Sequence, residues 1–197
     1  MMSSERVELF CLKGALTYRD LRLALPSSNA STGRTDLELY TDALIDRHLD
    51  QIDKRIRSDA HRMGEFYRMF YSLENDIREL IANTMEELHG PNWWGDKVPQ
   101  AVRDNVKKNK ENEDSEGLEA RSVRRIDYTT FGELGEIIKA NWDDFRGLFS
   151  NCSIPRFEKV IKRLNVARGP IAHSGYIVPE EAVRLKLTIR DWYTMIG

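Results

Sequence analysis

Two residues near the end of the chain, Arg168 and His173, could act together on a phosphate ester. Arginine carries a permanent charge on a planar group whose paired N–H donors match the oxygens of a phosphate. Histidine titrates close to neutral pH, so it can accept or donate a proton during a reaction. Because RNA brings its own nucleophile, the 2′-hydroxyl, an acid–base group and a phosphate-binding cation are the groups that its cleavage requires.

The neighbourhood of this pair is basic, although the whole chain is not. Between positions 154 and 173 a single acid, Glu158, is accompanied by five cations: Arg156, Lys159, Lys162, Arg163 and Arg168. The full chain of 197 residues has a formal charge of −2, which excludes a generally basic protein that coats nucleic acid. A local phosphate-attracting site remains possible, and Lys162 and Arg163 are expected to contribute to RNA binding there.

An amphipathic helix is predicted to carry Arg168. Apolar residues recur at spacings of three and four just before it: Phe157, Val160, Ile161 and Leu164. Arg168 falls on the continuation of this stripe, so its charge needs a partner wherever it is buried. Pro170 lacks an N–H and is predicted to kink, restart or end the helix. Such a kink could direct Arg168 and His173 at one ligand, whereas an unbroken helix would point them about 140° apart.

The segment from Arg168 to His173 resembles the Arg-x4-His motif of the HEPN superfamily of small helical domains. Further motifs stand earlier in the chain, in the family's order: Phe70-Tyr-x-Leu-Glu-Asn-x-x-Arg-x-x-Ile81, Gly90-Pro-Asn-Trp-Trp94, and Phe131-Gly-x-Leu134 with Asn141-Trp142. Over residues 60–197 the chain is similar to the HEPN subgroup typified by the C-terminal domain of a yeast RNA-surveillance endoribonuclease. The residue after the motif arginine, commonly Asn in that family, is Gly169 here.

This resemblance implies a metal-independent endoribonuclease with Arg168 and His173 as its catalytic residues and with no metal or cofactor. Cleavage through the 2′-hydroxyl of the substrate would leave a 2′,3′-cyclic phosphate. Family members usually place two motifs across one cleft, so a homodimer is expected, and a toxin or antiviral-defence role is implied. The alternative is a non-catalytic module of the same fold that binds nucleic acid, a nucleotide or a partner protein.

Three further residues are candidates for supporting the site. Glu74 and Arg78 match the family pattern on the first helix of the bundle, where they lie four residues apart on one face. They could hold the active site, or they could form a local ion pair worth about 0.2–0.5 kcal/mol. Asn165, one turn before Gly169, could supply the amide that the family commonly has directly after the motif arginine.

Composition predicts a cytoplasmic protein with one helical domain and an appendage. The hydrophobic fraction of 41% is sufficient for a core. Cys11 and Cys152 are isolated, which argues against a disulfide framework or a zinc site. No signal peptide and no apolar run of membrane-spanning length is present, so no membrane association is expected.

Residues 1–35 are predicted to form an N-terminal arm with a flexible linker, and residues 36–197 to form the helical domain. The arm could dock on a regulatory protein, or it could be a disordered leader. From Asp36 onward the apolar spacing is helical throughout, and no comparable strand pattern occurs. The fold class is therefore all-α, a HEPN-like bundle of five or six helices.

Several boundaries within the bundle can be predicted. Two helices are expected before Gly90, with Ser58 as the N-cap of the second. The Thr130-Phe-Gly-Glu133 segment is typical of a capping box that opens a helix through Phe149. Further helices are expected to begin at Pro155 and Pro179, each in a first turn.

The aromatic and charged segments between these helices have two interpretations each. Trp93 and Trp94 could stack on RNA bases, but anchoring their loop to the core is favoured because of the large apolar area of the rings. Residues 107–120 are predicted to form an exposed, low-complexity loop. The basic cluster at 121–125 could contact phosphates or lie in solvent, with the second interpretation favoured. Trp142 and Trp192 are predicted to be buried.

Overall fold

The computed structural model of the protein describes residues 36–196, and the predicted N-terminal arm lies outside the described residues. Within that range all regular secondary structure is helical and no strand occurs, which confirms the all-α fold. The chain divides into two compact units, residues 1–53 and residues 54–197. In the described part, no helix is long and apolar enough to cross a membrane.

Eight α-helices are assigned within residues 36–196: α1 Asp36–Leu49, α2 Lys54–His89, α3 Trp93–Lys97, α4 Gln100–Ser115, α5 Phe131–Ala140, α6 Trp142–Phe145, α7 Ile154–Ala172 and α8 Pro179–Met195. A 3-10 helix, Arg125–Tyr128, precedes α5. Six of the α-helices have ten or more residues, in agreement with the five or six predicted. The two that were not anticipated, α3 and α6, have only five and four residues.

The chain before Gly90 forms two helices as predicted, but the boundary between them lies earlier than expected. The first helix, α1, ends at Leu49, and a turn follows in which the backbone N–H of Ile52 donates to the carbonyl of Leu49 at 3.0 Å. Because α2 already begins at Lys54, Ser58 lies inside the helix and does not cap it. Helix α2 then continues for 36 residues and ends before Gly90, as predicted.

The core of residues 54–196 forms around α2. This helix buries one stripe along its length: Phe66, Phe70, Leu73, Ile77, Ile81 and Met85. Helices α5 and α7 pack against α2 and against each other, and α8 packs on α7. The contact between α5 and α7 is close at Gly135, where a Cβ atom would lie 2.7 Å from Cγ2 of Ile161. A small residue at this position lets α7, which carries the motif, approach the rest of the bundle.

The aromatic residues around α6 correct one prediction. The helix that opens at Phe131 ends at Ala140, because Asn141 leaves the helical conformation and its side-chain amide donates to the carbonyl of Ile137 at 2.9 Å. Trp142 therefore begins a separate short helix and is only partly buried, while Trp192 is fully buried as predicted. The expected continuous helix through Phe149 is wrong.

Helix α4 corrects a second prediction. The charged stretch from Lys107 was expected to be a loop, but the helix continues to Ser115. An i,i+4 ion pair between Lys107 and Glu111 (3.7 Å) and a hydrogen bond from Asn109 to the carbonyl of Tyr128 (3.1 Å) support it. Most side chains from 107 to 120 are exposed, which agrees with the prediction.

The predicted anchoring of Trp93 and Trp94 and the predicted capping box of α5 are confirmed. Trp93 and Trp94 are each 8% exposed and lie against the core, although in a short helix and not in a loop. The backbone N–H of Thr130 donates to Glu133 at 2.7 Å, which completes the capping box of α5. Prolines occupy the first turns of α7 and α8.

Candidate functional site

The carboxylate of Glu74, on α2, lies between two arginine side chains. Arg78 donates to Oε1 of Glu74 at 2.5 Å and, through the same nitrogen, to the carbonyl of Thr129 at 2.9 Å. Nε of Arg168, on α7, lies 3.4 Å from Oε2 of Glu74. The Glu74 and Arg78 side chains are 12% and 11% exposed, whereas Arg168 is 37% exposed. The carboxylate of Glu74 thus joins α2 to α7, and Arg78 joins α2 to Thr129 in the segment that precedes α5.

These residues lie in a groove of about 510 Å³ that also contains the segment before α5. Four arginines line it, namely Arg78, Arg121, Arg124 and Arg168, and the acidic residues lining it are Glu74 and Asp127. Among the residues that line the groove, four arginines thus accompany two carboxylates, a composition that suits an anionic ligand.

The charges of two arginines that line the groove, Arg121 and Arg124, are compensated by neighbouring carboxylates. Arg124 forms ion pairs with Glu79 at 2.6 Å and with Asp127 at 2.9 Å, and these carboxylates raise the pKa of its guanidinium. Partial burial raises the pKa of Asp127, but hydrogen bonds from Arg124 and Ser122 outweigh it, so the pKa lies below its ordinary value. Arg121 pairs with Glu113.

The part of the groove around Glu74 carries an excess of positive charge. Arg78 and Arg168 both contact the single carboxylate of Glu74, so two cations share one anion. A phosphate that approached the exposed edge of Arg168 would complete this charge balance and accept hydrogen bonds from its guanidinium. The most suitable place for an anion in this groove is therefore next to Arg168.

His173 does not join this cluster within one chain. Helix α7 continues through Pro170 to Ala172, so the predicted end or restart at the proline is not observed. Gly169, which directly precedes Pro170, has no Cβ to clash with the proline ring and can therefore stay helical. Because Arg168 and His173 lie on one continuous helix and its cap, they point in different directions. The imidazole is exposed, does not line the groove, and makes no hydrogen bond within the described residues.

The backbone around His173 is nevertheless fixed in position. Ser174 has a φ of 55°, and the N–H of Gly175 donates to the carbonyl of Pro170 at 2.6 Å. A Cβ at Gly175 would lie 3.2 Å from Cα of Pro170, so this tight turn favours glycine. The hydroxyl of Tyr176 accepts a hydrogen bond from Arg62 of α2 at 2.7 Å. These contacts hold the turn that presents the imidazole.

The remaining predicted residues lie elsewhere on α7. Lys162 and Arg163 are exposed and line a separate groove of about 950 Å³ between α7 and α8. The amide of Asn165 faces the start of α5, and its Nδ2 is 3.4 Å from the position of a Cβ on Gly132. The structure therefore brings Glu74, Arg78 and Arg168 together. Lys162, Arg163 and Asn165 lie away from this cluster.

Sequence reasoning missed several residues of the groove. For the cluster at 121–125 the sequence allows contact with phosphates but favours a solvated charge run. Nothing in the local pattern indicates that Arg124 contacts Glu79 of α2. Tyr67 and Tyr71 also line the groove. Tyr71 lies three residues before Glu74, and Tyr67 lies four residues before Tyr71. This spacing is a usable signal, since it places Tyr67, Tyr71, Glu74 and Arg78 on one helix face. No cluster of three or more His, Cys, Asp or Glu side chains that could hold a metal ion occurs in residues 36–196.

A comparison with protein-family models identifies the family of this chain. The model described as Swt1-like HEPN matches residues 68–197, a range that contains Glu74, Arg78, Arg168 and His173. The family resemblance predicted from the motifs is thereby confirmed. No curated protein and no solved structure matched the chain.

Removing the shared carboxylate should destabilise the protein. In Glu74→Ala, two partly buried guanidinium groups lose their common partner, and we expect the free energy of unfolding to fall by about 3 kcal/mol. Glu65→Ala is the matched control, because Glu65 lies on the same helix in an exposed i,i+3 pair with Arg68 and should cost at most about 1 kcal/mol. Urea unfolding followed by circular dichroism measures both. Equal losses in the two variants would contradict a structural role for Glu74.

Proposed function

This chain belongs to the Swt1-like HEPN family, and we propose that it is a metal-independent endoribonuclease whose cleavage site is the groove around Glu74, Arg78 and Arg168. Membership of this family supports a role related to nucleic acid. The observation that carries the finer proposal is that the motif arginine shares one carboxylate with a second arginine, in a groove lined by four arginines. A toxin or antiviral-defence role rests on the family resemblance alone.

In this proposal Arg168 binds the phosphate at the cleaved bond. Charge builds up on the non-bridging oxygens as the phosphorane forms, and a planar guanidinium can donate two hydrogen bonds to them. Glu74 orients Arg168 and Arg78 without neutralising both. The positive charge is therefore held in place before the substrate arrives, which is how electrostatic stabilisation of a transition state is most effective.

His173 performs the proton transfers. A base removes the proton of the 2′-hydroxyl, and the 2′-oxygen attacks phosphorus. The bond from phosphorus to the 5′-oxygen then breaks, and an acid protonates the leaving oxygen. The products are a 2′,3′-cyclic phosphate and a free 5′-hydroxyl, so no water and no metal-bound nucleophile enters this step. An imidazole can serve as either the base or the acid near neutral pH.

A second copy of the chain supplies the imidazole. Within one chain His173 is exposed and does not line the groove that contains Arg168. A two-fold symmetric dimer pairs the same surface of both copies, so His173 of one copy can enter the groove of the other. The proposed active unit is therefore a homodimer with two composite sites, each with Arg168 and His173 from different chains.

The second candidate function is a non-catalytic module that binds RNA, a nucleotide or a partner protein through the same groove. The separation of His173 from Arg168 within one chain favours it, because an arginine-lined groove can bind an anion without an acid–base group. The two candidates differ in whether the 2′-hydroxyl of the RNA reacts.

Cleavage in the presence of EDTA tests the catalytic proposal. The purified protein should cut single-stranded RNA, spare DNA, and leave 2′,3′-cyclic phosphate ends, which end-group analysis by mass spectrometry detects. His173→Ala should lower the rate by about 10²- to 10⁴-fold, the usual contribution of general acid–base catalysis. Arg168→Lys should also lower it strongly, since a point charge cannot reproduce the guanidinium fork. His61→Ala, at an exposed histidine of α2, is the control and should retain full activity.

RNA that is bound but remains intact would overturn the catalytic proposal and favour the binding module. Products with 5′-phosphate and 3′-hydroxyl ends in place of a cyclic phosphate and a 5′-hydroxyl would exclude attack by the 2′-hydroxyl.

Complementation tests whether the two residues act from different chains. Arg168→Ala and His173→Ala chains, co-expressed with different tags and purified as a heterodimer, should retain one intact composite site of two. We expect about half the wild-type rate, whereas each homodimer should be inactive. An inactive heterodimer would show that Arg168 and His173 act within one chain, and a wild-type protein that is fully active as a monomer in light scattering would contradict the dimer.

A further inference from the structure

Two tyrosines of α2, Tyr67 and Tyr71, are exposed at the edge of the groove. Their side chains are 60% and 61% accessible to solvent, and their ring centroids are 6.2 Å apart with a tilt of 32°. The neighbouring Phe66 and Phe70 are buried in the core, so the tyrosines are not part of the packing of α2. Large exposed aromatic surfaces that line a groove indicate a ligand.

The hydroxyl groups of these two tyrosines are also unengaged. In residues 54–196 the three other tyrosines each make a hydrogen bond through the hydroxyl: Tyr128 to Ser122, Tyr176 with Arg62, and Tyr193 to Asp76. The hydroxyl groups of Tyr67 and Tyr71 make no hydrogen bond with any described residue. Neither hydrogen bonding nor burial in the core therefore accounts for the position of these rings.

The position of the tyrosines relates them to the phosphate site. Tyr67, Tyr71, Glu74 and Arg78 follow each other at helical spacing on one face of α2, and all four line the groove that Arg168 enters. A nucleotide whose phosphate contacts Arg168 would therefore have its base directed along the same face. Aromatic rings beside cations are the combination that binds unpaired nucleic acid, with stacking for the bases and charge for the backbone.

We propose that Tyr67 and Tyr71 form a stacking platform for an unpaired base, and that the substrate class of this protein is single-stranded RNA with little base preference. In an A-form duplex the base faces are covered by their neighbours, so a stacking platform selects unpaired nucleotides. Asn75, the amide beside the platform, uses part of its hydrogen-bonding capacity within the protein: its Nδ2 donates to the carbonyl of Tyr71 at 2.7 Å and its Oδ1 accepts from Arg78 at 3.1 Å. Stacking itself tolerates any base.

This inference rests on the proposed function, because both place RNA in the same groove, and binding measurements separate the two. The probe is a fluorescent single-stranded 12-nucleotide RNA with 2′-O-methyl groups, which cannot be cleaved because its nucleophile is blocked. We expect Tyr67→Ala and Tyr71→Ala each to weaken its binding to the full-length protein by about 5- to 150-fold. Tyr67→Phe and Tyr71→Phe keep the rings and should bind like the wild type.

Two controls define the interpretation. Tyr193→Ala removes a tyrosine of α8 outside the groove and should leave binding unchanged. The same RNA annealed to its complement should bind weakly, and the alanine substitutions should not change that binding.

Wild-type binding by both alanine variants, or equal losses in the phenylalanine variants, would overturn the platform. Alanine variants that bind RNA normally but no longer dimerise would assign the tyrosines to a protein contact instead.

The outcomes also distinguish this inference from the proposed function. If the wild-type protein binds the probe through the tyrosines but leaves natural RNA intact, the platform stands and the ribonuclease proposal fails. If RNA is cleaved normally by both alanine variants and their binding is unchanged, cleavage stands and the platform fails.

Discussion

The contact of Glu74 with two arginines is the constraint on which the site depends. Its carboxylate contacts Arg78 on its own helix and Arg168 on α7, and Arg78 also binds the carbonyl of Thr129 just before α5. Three segments that are far apart in sequence are thereby held in one arrangement. Because two cations share one carboxylate, the cluster keeps a net positive charge. In the proposed function, this charge binds the phosphate of the RNA.

Helix packing makes this contact possible. The close approach of α5 and α7 at Gly135 and the long buried stripe of α2 fix the distance between the helix that carries Glu74 and the helix that carries Arg168. On the outer face of the same α7, Lys162 and Arg163 line a different groove. A single helix thus presents cations to two surfaces, and the carboxylate of α2 is what distinguishes the surface at Arg168.

The sequence predicts the helical elements better than their boundaries. Apolar spacing and the capping box locate α2, α5, α7 and α8, because these signals are local and repeat along the helix. The break at Asn141 depends on a side-chain hydrogen bond to the backbone, and the extension of α4 to Ser115 depends on contacts with Tyr128. Neither contact can be anticipated from spacing alone. Pro170 is predicted to kink, restart or end α7, and the helix neither ends nor restarts there but continues to Ala172.

The same division applies to the site. The candidates Glu74, Arg78 and Arg168 could be found from motif and helical periodicity, but their convergence on one carboxylate is a tertiary contact between α2 and α7. The contact of Arg124 with Glu79 of α2 has no signal in the local sequence, whereas helical spacing places Tyr67 and Tyr71 on the same face as Glu74. His173 was found by its motif, and the structure adds that its imidazole is presented outward from a fixed turn. The candidate side chains can thus be identified from the sequence, whereas the contacts between them depend on how the helices pack.

The most direct test of this account compares two arginines of the same helix. Binding of an uncleavable single-stranded RNA is measured as a function of salt concentration for Arg168→Ala and Arg163→Ala. The account predicts that Arg168→Ala weakens binding about tenfold or more and lowers the salt slope by about one, whereas Arg163→Ala stays close to the wild type. Wild-type binding by Arg168→Ala together with a large loss in Arg163→Ala would contradict it, because RNA would then occupy the groove between α7 and α8.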